Sequence, residues 1–276
     1  MLTLSIDNID YALPESIDEI TLGKWEELLN LIVEREYVIR GKTRGGDEVK
    51  TEVPIGEESE EFKHSQRIKI AQLFIDLPES FFEEQYELTL FVYETVIKAF
   101  NDDGKVKDIL GMKFPSLRSI KFAQFVDMEN YRSMGVIPFL AVALQKDGEK
   151  YNRMHPYFQK KVGLLTNAPA KGSVNYINKF FKELNALKAS FPVVFEGTGV
   201  TGEKSPNMDK HFDTFKWEEI VRSLATGEPV FNSSKGTLYA VRNANALEVL
   251  EYLNIQKAYQ AAEYKDMKLR MKPIKK

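Results

Sequence analysis

The chain has 276 residues, of which 43% are hydrophobic and 29% are charged, and its formal net charge is −3. This composition supplies enough apolar material for a core, which excludes a wholly disordered chain. The absence of cysteine excludes disulfides, thiolate zinc sites and cysteine nucleophiles. The sequence contains no run of about 18 apolar residues, so it predicts no membrane span. The slightly acidic balance argues against a dedicated nucleic-acid coat protein.

The first part of the chain predicts helices with small β additions. Residues 3–12 alternate between apolar and polar side chains, which predicts one short strand. Glycines and alternating residues over 37–56 predict a β-hairpin excursion. Helices are predicted at 57–77 and 79–100. An earlier helix over 23–36 is predicted from apolar residues at helical spacing, namely Trp25, Leu28, Leu29, Ile32 and Val33.

The second part of the chain is also predicted to be mostly helical. The apolar run 191–196 is typical of a strand, and 197–209 reads as a glycine-containing surface loop. A last helix is predicted over 244–268, with one apolar side formed by Leu247, Leu250, Leu253, Tyr259 and Ala262. The other predicted helices cover 119–133, 136–146, 151–166, 173–189 and 210–226.

The expected fold class is therefore mainly α (α+β), a helical protein with a short N-terminal strand and a small β-hairpin excursion. We expect an N-terminal helical region over 1–113 and a C-terminal helical region over 114–276, or one continuous domain.

One apolar pattern occurs twice. Residues 14–28 resemble residues 115–128, and from Ser16 onward the apolar positions match at a constant offset of 100 residues. Two interpretations stay open. Amphipathic helices resemble one another in general, or the chain reuses a unit made of a short extended lead and a helix whose first turn docks an aromatic side chain.

The glycine-rich stretch Gly197–Ser205 resembles a phosphate-binding loop but departs from it at the decisive positions. Glu203 stands where the phosphate-binding lysine is required, and Lys204 comes one place late. Pro206 disfavours a helical conformation at Ser205, where the phosphate-binding helix should begin. The sequence therefore predicts a flexible loop and no nucleotide site.

Other constellations do not predict catalysis or metal binding. The three histidines, His64, His155 and His211, lie far apart and have no second ligand at helical metal-site spacing. Glutamate pairs occur at helix starts, where solvated acidic residues complement the helix dipole. We therefore expect no enzymatic activity, no cofactor and no metal.

The remaining candidate residues fall into two groups. Trp25, Phe125 and Trp217 each begin an apolar helical stripe and are predicted to anchor the core. Excess positive charge in exposed, apolar-poor segments predicts contacts with partner proteins, and the interface candidates are Arg44, Lys50, Lys204, Arg270, Lys272 and Lys275. We expect no nucleic-acid contact and a solvated basic C-terminal tail; the alternative left open is that this tail contacts DNA or an acidic partner surface.

Several helix segments resemble tail-assembly and tail-associated proteins of tailed bacteriophages, especially crAss-like phages that infect Bacteroidetes. Ser16–Leu29 resembles the opening of such proteins, and Ile120–Tyr131 resembles their I-x-F-x-Q-F-x-D-x-E-x-Y helix. Asn178–Phe181 resembles an N-F-F helix. Phe215–Ile220 and Glu248–Asn254 resemble their C-terminal helices.

This resemblance implies a structural or assembly subunit of a phage tail, neck or connector, made in the host cytoplasm and located in the virion. The implied partners are other phage structural proteins, with no membrane contact. Excess Lys and Arg in Gly41–Lys50 and the C-terminal tail, against the acidic Glu57–Glu61, further predicts head-to-tail contacts between copies of the chain, which close into a ring when the rotation permits. Two alternatives remain: a tail assembly chaperone that leaves before the virion is complete, and a nucleotide-binding enzyme that uses the glycine loop.

Overall fold

The protein is mainly helical, with small antiparallel two-stranded sheets, as the sequence predicts. The computed structural model describes residues 1–34, 36–42, 48–54, 57–100, 104–152, 158–195, 217, 220–226, 233 and 236–270.

The contacts group the chain into two compact units. The first contains Met1–Val106 and Gly163–Asn175, and the second contains Lys107–Val162 and Tyr176–Lys276. The first unit is therefore discontinuous in sequence. The predicted division at residue 113 stays a prediction, because units defined by contacts are not thereby shown to fold independently.

The chain begins with a β-hairpin where the sequence predicted a single strand. Strand β1 (Leu2–Ile6) pairs antiparallel with β2 (Ile9–Leu13), so that Leu2 lies opposite Leu13. Asp7 and Asn8 form the turn with φ of 52° and 63°. Both values are left-handed, as a two-residue hairpin turn of type I′ requires, and Asp and Asn tolerate them well.

The first unit packs its helices around an apolar core. The 3₁₀ turn Ile17–Glu19 leads into α1 (Leu22–Ile32), and the Thr21 hydroxyl caps this helix by accepting from the Lys24 N–H. The predicted hairpin excursion is present as β3 (Tyr37–Lys42) and β4 (Glu48–Glu52). The helices α2 (Glu60–Gln72), α3 (Glu79–Glu84) and α4 (Tyr86–Ala99) follow. Core residues include Leu13, Leu28, Ile68, Ile75, Phe82, Val92 and Val96.

The predicted helix over 79–100 is two helices, because the backbone of Gln85 leaves helical geometry with φ −113° and ψ 62°. The Thr89 hydroxyl stabilises this junction by donating to the carbonyls of Phe82 and Gln85, each at 2.9 Å.

The remaining elements follow in chain order. They are β5 (Met112–Lys113), α5 (Phe122–Arg132), α6 (Val136–Ala143), β6 (Gln145–Lys146), α7 (Phe158–Thr166), α8 (Ser173–Ala189), α9 (Pro192–Phe195), α10 (helical at 217 and 220–226), α11 (Thr237–Asn243) and α12 (Ala246–Arg270). Strand β5 pairs antiparallel with β6.

Three predictions about this part of the chain are wrong or incomplete. The run 191–196 contains helix α9 and is not a strand, because a short apolar run does not distinguish the two by periodicity. Residues 151–152 are not helical, although a helix was predicted from 151. Helix α11 was not predicted. The predicted loop 197–209 lies outside the described residues.

The first of the two similar segments forms an isolated backbone bridge with the junction between α7 and α8. The Leu22 N–H donates to the Ala168 carbonyl at 2.8 Å, and the Ala170 N–H donates to the Ile20 carbonyl at 2.9 Å. The junction has the sequence Asn167-Ala168-Pro169-Ala170, which we call the first N-A-x-A segment.

The second similar segment repeats this arrangement one hundred residues later. The Phe122 N–H donates to the Ala244 carbonyl, and the Ala246 N–H donates to the Ile120 carbonyl, both at 2.9 Å. The partner is the junction between α11 and α12, Asn243-Ala244-Asn245-Ala246, which we call the second N-A-x-A segment. The two copies thus share one hydrogen-bond register.

Side chains repeat as well as backbone. Lys24 Nζ donates to the carbonyl of Leu73, just after α2, at 2.8 Å. The equivalent residue, Gln124, donates through Nε2 to the carbonyl of Ala143, the last residue of α6, at 3.4 Å. The same backbone bridge and the same helix-end contact favour a reused unit over a general likeness of amphipathic helices. We call each copy a bridge module.

Candidate functional site

The three predicted core anchors are buried side chains. Trp25 is 4% exposed and stacks on Phe100, with ring centroids 6.2 Å apart. In the second unit, Phe125 and Trp217 pack edge to face at 5.4 Å, and Phe195 contacts both rings. How much each ring contributes to stability stays a prediction.

The predicted interface residues are not brought together by the described structure. Lys50 lies in β4 and Arg270 ends α12. Arg44, Lys204, Lys272 and Lys275 lie outside the described residues, as does the glycine loop over 197–205. The predictions about these residues therefore stay predictions.

A pocket with a cavity volume of about 150 Å³ lies in the second unit. Helices α5, α6 and α7 and the segment after β6 line it. Residues 153–157, which continue that segment, lie outside the described residues. The polar lining consists of Asp127, Tyr131, Gln145, Glu149, Lys150, Tyr151, Asn152 and Lys161.

Lys161 is unusual among the pocket residues because it is a lysine that is only 9% exposed. Its ammonium donates a hydrogen bond to the Leu144 carbonyl, at the C-terminal end of α6. Burial lowers the pKa of this ammonium, and the negative charge of Glu149 partly opposes the effect. The negative end of the helix dipole also favours a cation at this position.

These contacts explain the burial of Lys161 by a structural role. A lysine nucleophile or base must present its amine to a substrate, whereas the Lys161 amine is directed to a helix-end carbonyl, as Lys24 is in the first module. Beside it, the Tyr151 hydroxyl donates to the Asp127 carboxylate, which is itself buried. The described part of the pocket therefore reads as a polar network that closes the end of α6.

The second candidate feature is helix α12, which is buried only near its start. Its 25 residues make it about 37 Å long at about 1.5 Å per residue. Ala246, Val249, Leu250 and Leu253 are buried. Beyond Leu253, no residue of α12 whose side chain is described is buried. By contrast, α8, which follows the first N-A-x-A segment, has buried residues as far along as Leu184.

Exposed apolar side chains lie on the side of α12 opposite its buried face. Ile255 is 65% exposed and Tyr259 is 68% exposed. With about 100° between successive residues, Ile255, Tyr259 and Ala262 share one face, about 120–180° from Leu253. The prediction that Leu250, Leu253, Tyr259 and Ala262 form one apolar side is therefore wrong. We call Tyr252, Ile255, Tyr259 and Ala262 the α12 stripe.

The sequence reasoning missed two functional features. The repeated N-A-x-A segments are visible in the sequence as identical residues at two positions. Their pairing with the two similar extended segments before α1 and α5 is a tertiary contact, which the sequence does not show. The α12 stripe has a readable spacing of three, four and three residues. What the sequence did not reveal is which face of the helix the core would take.

The described helices include none that is both long and apolar enough to cross a membrane. Among the same residues, no cluster of three or more His, Asp or Glu side chains could hold a metal ion. No protein-family model, curated protein or solved structure matches the chain.

Proposed function

We propose that this chain is a structural or assembly subunit of a tailed-bacteriophage particle, part of the tail, neck or connector. It acts through protein–protein interfaces and not as an enzyme. The resemblance of its helices to phage tail proteins supports the biological setting. In this proposal the chain is made in the host cytoplasm, resides in the virion and contacts other phage structural proteins and further copies of itself.

The observation that carries the proposal is the unburied length of α12. A helix in water gains most of its stability by packing an apolar face, yet this one exposes Ile255 and Tyr259 on consecutive turns. Large apolar side chains grouped on an exposed face mark interaction surfaces. A subunit that is completed by its neighbours would have such a helix.

Purified particles provide the test. Mass spectrometry of particles purified through a density gradient should detect the chain at a fixed ratio to the other structural proteins. A tail assembly chaperone would be present in infected cells and absent from the particles, so this measurement separates the two functions. Absence from both particles and assembly intermediates would contradict the proposal as a whole.

The nucleotide-binding alternative depends on the glycine loop and has its own test. We expect no saturable thermal shift with ATP or GTP and magnesium. A saturable shift that Lys204→Ala abolishes would favour the enzyme and refute the assignment as a purely structural protein.

A further inference from the structure

The two compact units carry formal charges of opposite sign. The first unit contains 24 acidic and 12 basic residues, which gives a formal net charge of −12. The second unit contains 17 acidic and 26 basic residues, which gives +9. Surfaces of opposite charge steer one another together in solution. Two copies of the chain therefore attract one another when the first unit of one copy approaches the second unit of the other.

The negative charge of the first unit is concentrated on α3 and α4. From Glu79 to Glu94 the chain has five glutamates and no basic residue, and all five glutamates are exposed. Within the residues that the structure describes, none of the five forms an ion pair. We call these residues the acidic face: Glu79, Glu83, Glu84, Glu87 and Glu94.

Exposed aromatic rings lie among these carboxylates. Tyr86 is 47% exposed and Phe91 is 45% exposed. With about 100° between successive residues, Glu87, Phe91 and Glu94 share one side of α4, together with Lys98 one turn further on. The opposite side of α4 is buried in the core of the first unit. Aromatic side chains are enriched in protein interfaces, so a partner can cover these rings without disturbing that core.

Unpaired positive charge in the second unit lies near the pocket described above. Lys150 lines this pocket beside Lys161. Burial is the main cause that lowers the pKa of Lys161, and the nearby charge of Lys146 lowers it further. Lys160 precedes Lys161 in α7. We call Lys146, Lys150 and Lys160, all of them exposed, the basic face.

The described carboxylates beside the basic face are already engaged. Asp147 forms an ion pair with Lys113 at 2.9 Å, and Glu149 accepts a hydrogen bond from the Lys146 backbone N–H at 2.9 Å. Within the described part of the chain, no lysine of the basic face forms an ion pair. The basic face therefore offers its charge to a partner.

We infer that the acidic face of one copy binds the basic face of a second copy, head to tail. This inference rests on the proposed assembly function and names a further copy of the chain as the partner. Charge complementarity selects this partner, because every copy supplies both faces at equal concentration. The contact is heterologous, so each added copy leaves one face of each sign open, and the assembly closes into a ring when the rotation permits.

Sedimentation of the full-length chain at several salt concentrations tests the contact. The dissociation constant for self-association should rise at least about tenfold between about 0.1 M and 1 M NaCl, because the Debye length falls from about 10 Å to about 3 Å. A chain that stays monomeric at low salt and high concentration would overturn the inference.

Charge reversal locates the two faces. The acidic-face variant Glu83→Lys, Glu87→Lys and the basic-face variant Lys146→Glu, Lys150→Glu should each weaken self-association at least about tenfold. The matched controls, Glu57→Lys, Glu61→Lys and Lys179→Glu, Lys182→Glu, make the same change of net charge at exposed positions in the same units. They should change the dissociation constant less than about threefold. Controls that weaken association as strongly as the face variants would refute the two faces.

Mixing the two face variants tests the head-to-tail direction. Each variant keeps only one intact face and should stay monomeric at concentrations at which the parent chain associates. An equimolar mixture should associate, because the intact basic face of one variant can bind the intact acidic face of the other. A mixture that stays monomeric, while circular dichroism shows both variants folded, would overturn the inference.

Nucleic acid is the other partner that a basic face can bind. If the basic-face variant binds short duplex DNA more weakly than the parent chain and self-associates as the parent does, the basic face belongs to nucleic acid and the inference fails. These outcomes are separable from the proposed function. A monomeric chain that is present in particles contradicts only the head-to-tail contact, and a self-associating chain that is absent from particles and assembly intermediates contradicts only the assembly function.

Discussion

Truncation of Trp25 should destabilise the first unit by about 3–5 kcal/mol. An indole of this size buries about 150–250 Å², worth about 4–6 kcal/mol at about 25 cal/mol per Å². Trp25→Ala keeps only the Cβ and leaves a cavity beside the ring of Phe100, on which the indole stacks. The indole Nε1 is buried without a hydrogen-bond partner among the described residues, which offsets part of the gain.

Trp25→Phe provides the internal comparison, because Phe125 occupies the equivalent position of the second module. Phenylalanine keeps an aromatic ring and removes the unpaired N–H, whose burial costs about 1–3 kcal/mol. We expect this variant to lie within about 1 kcal/mol of the parent. A matched exposed control is Phe91→Ala in α4, which should change stability by less than about 0.5 kcal/mol.

The assay is urea unfolding followed by far-UV circular dichroism. Trp217 is the other tryptophan of the chain, so its fluorescence in Trp25→Ala reports on the second unit separately. The reasoning about the core is refuted if the urea midpoint of the first unit is as little changed by Trp25→Ala as by the control Phe91→Ala. Trp25 would then belong to a partner surface.

Three further variants test other contacts. Gly23→Ala should cost about 1–3 kcal/mol in thermal unfolding, because the added Cβ would lie 2.6 Å from the Thr166 methyl. This cost should appear although alanine has the better helix propensity. The reverse change at the equivalent position of the other module, Ala123→Gly, should cost about 1 kcal/mol. Asn245→Ala should cost about 1–2 kcal/mol in urea unfolding, because it removes the side-chain cap of α12. The pKa of Lys161 is lowered in the folded chain, so between that pKa and 10.5 the unfolded chain binds more protons than the folded one. The free energy of unfolding, measured relative to Lys161→Met, should therefore rise as pH increases through this window and stay constant below it. Urea midpoints of both proteins between neutral and alkaline pH test the sign.

Local patterns predicted much of the fold, and the failures have physical causes. Apolar residues at helical spacing located α1, α5 and α8, because that spacing is a property of the helix itself. The Asp7-Asn8 turn was overlooked, although both residues favour the left-handed turn of a hairpin. The run at 191–196 is apolar whichever element it forms, so its sequence did not distinguish a strand from α9.

The candidate sites were less predictable because they depend on distant contacts. Nothing near Lys161 in sequence identifies the carbonyl of Leu144 as its acceptor. The apolar residues of α12 were visible, but the core takes the side of Leu250 and Leu253 and leaves Ile255 and Tyr259 exposed. That choice is made by packing within the second unit and not by the helix alone.

Because the two bridge modules share one hydrogen-bond register, each N-A-x-A segment must pair with the correct one of two similar extended leads as the chain is synthesised and folds. Ala170 is made about 150 residues after Leu22, or about 7–30 s later at typical translation rates. When the first N-A-x-A segment is made, both leads have already been synthesised, and the same backbone groups of each lead take part in the final bridges. The residue after each lead tells them apart: Gly23 leaves room for Thr166, whereas the methyl group of Ala123 would occupy that room. We expect this difference of one Cβ to favour pairing of the first segment with the earlier lead, which leaves the later lead for the second segment.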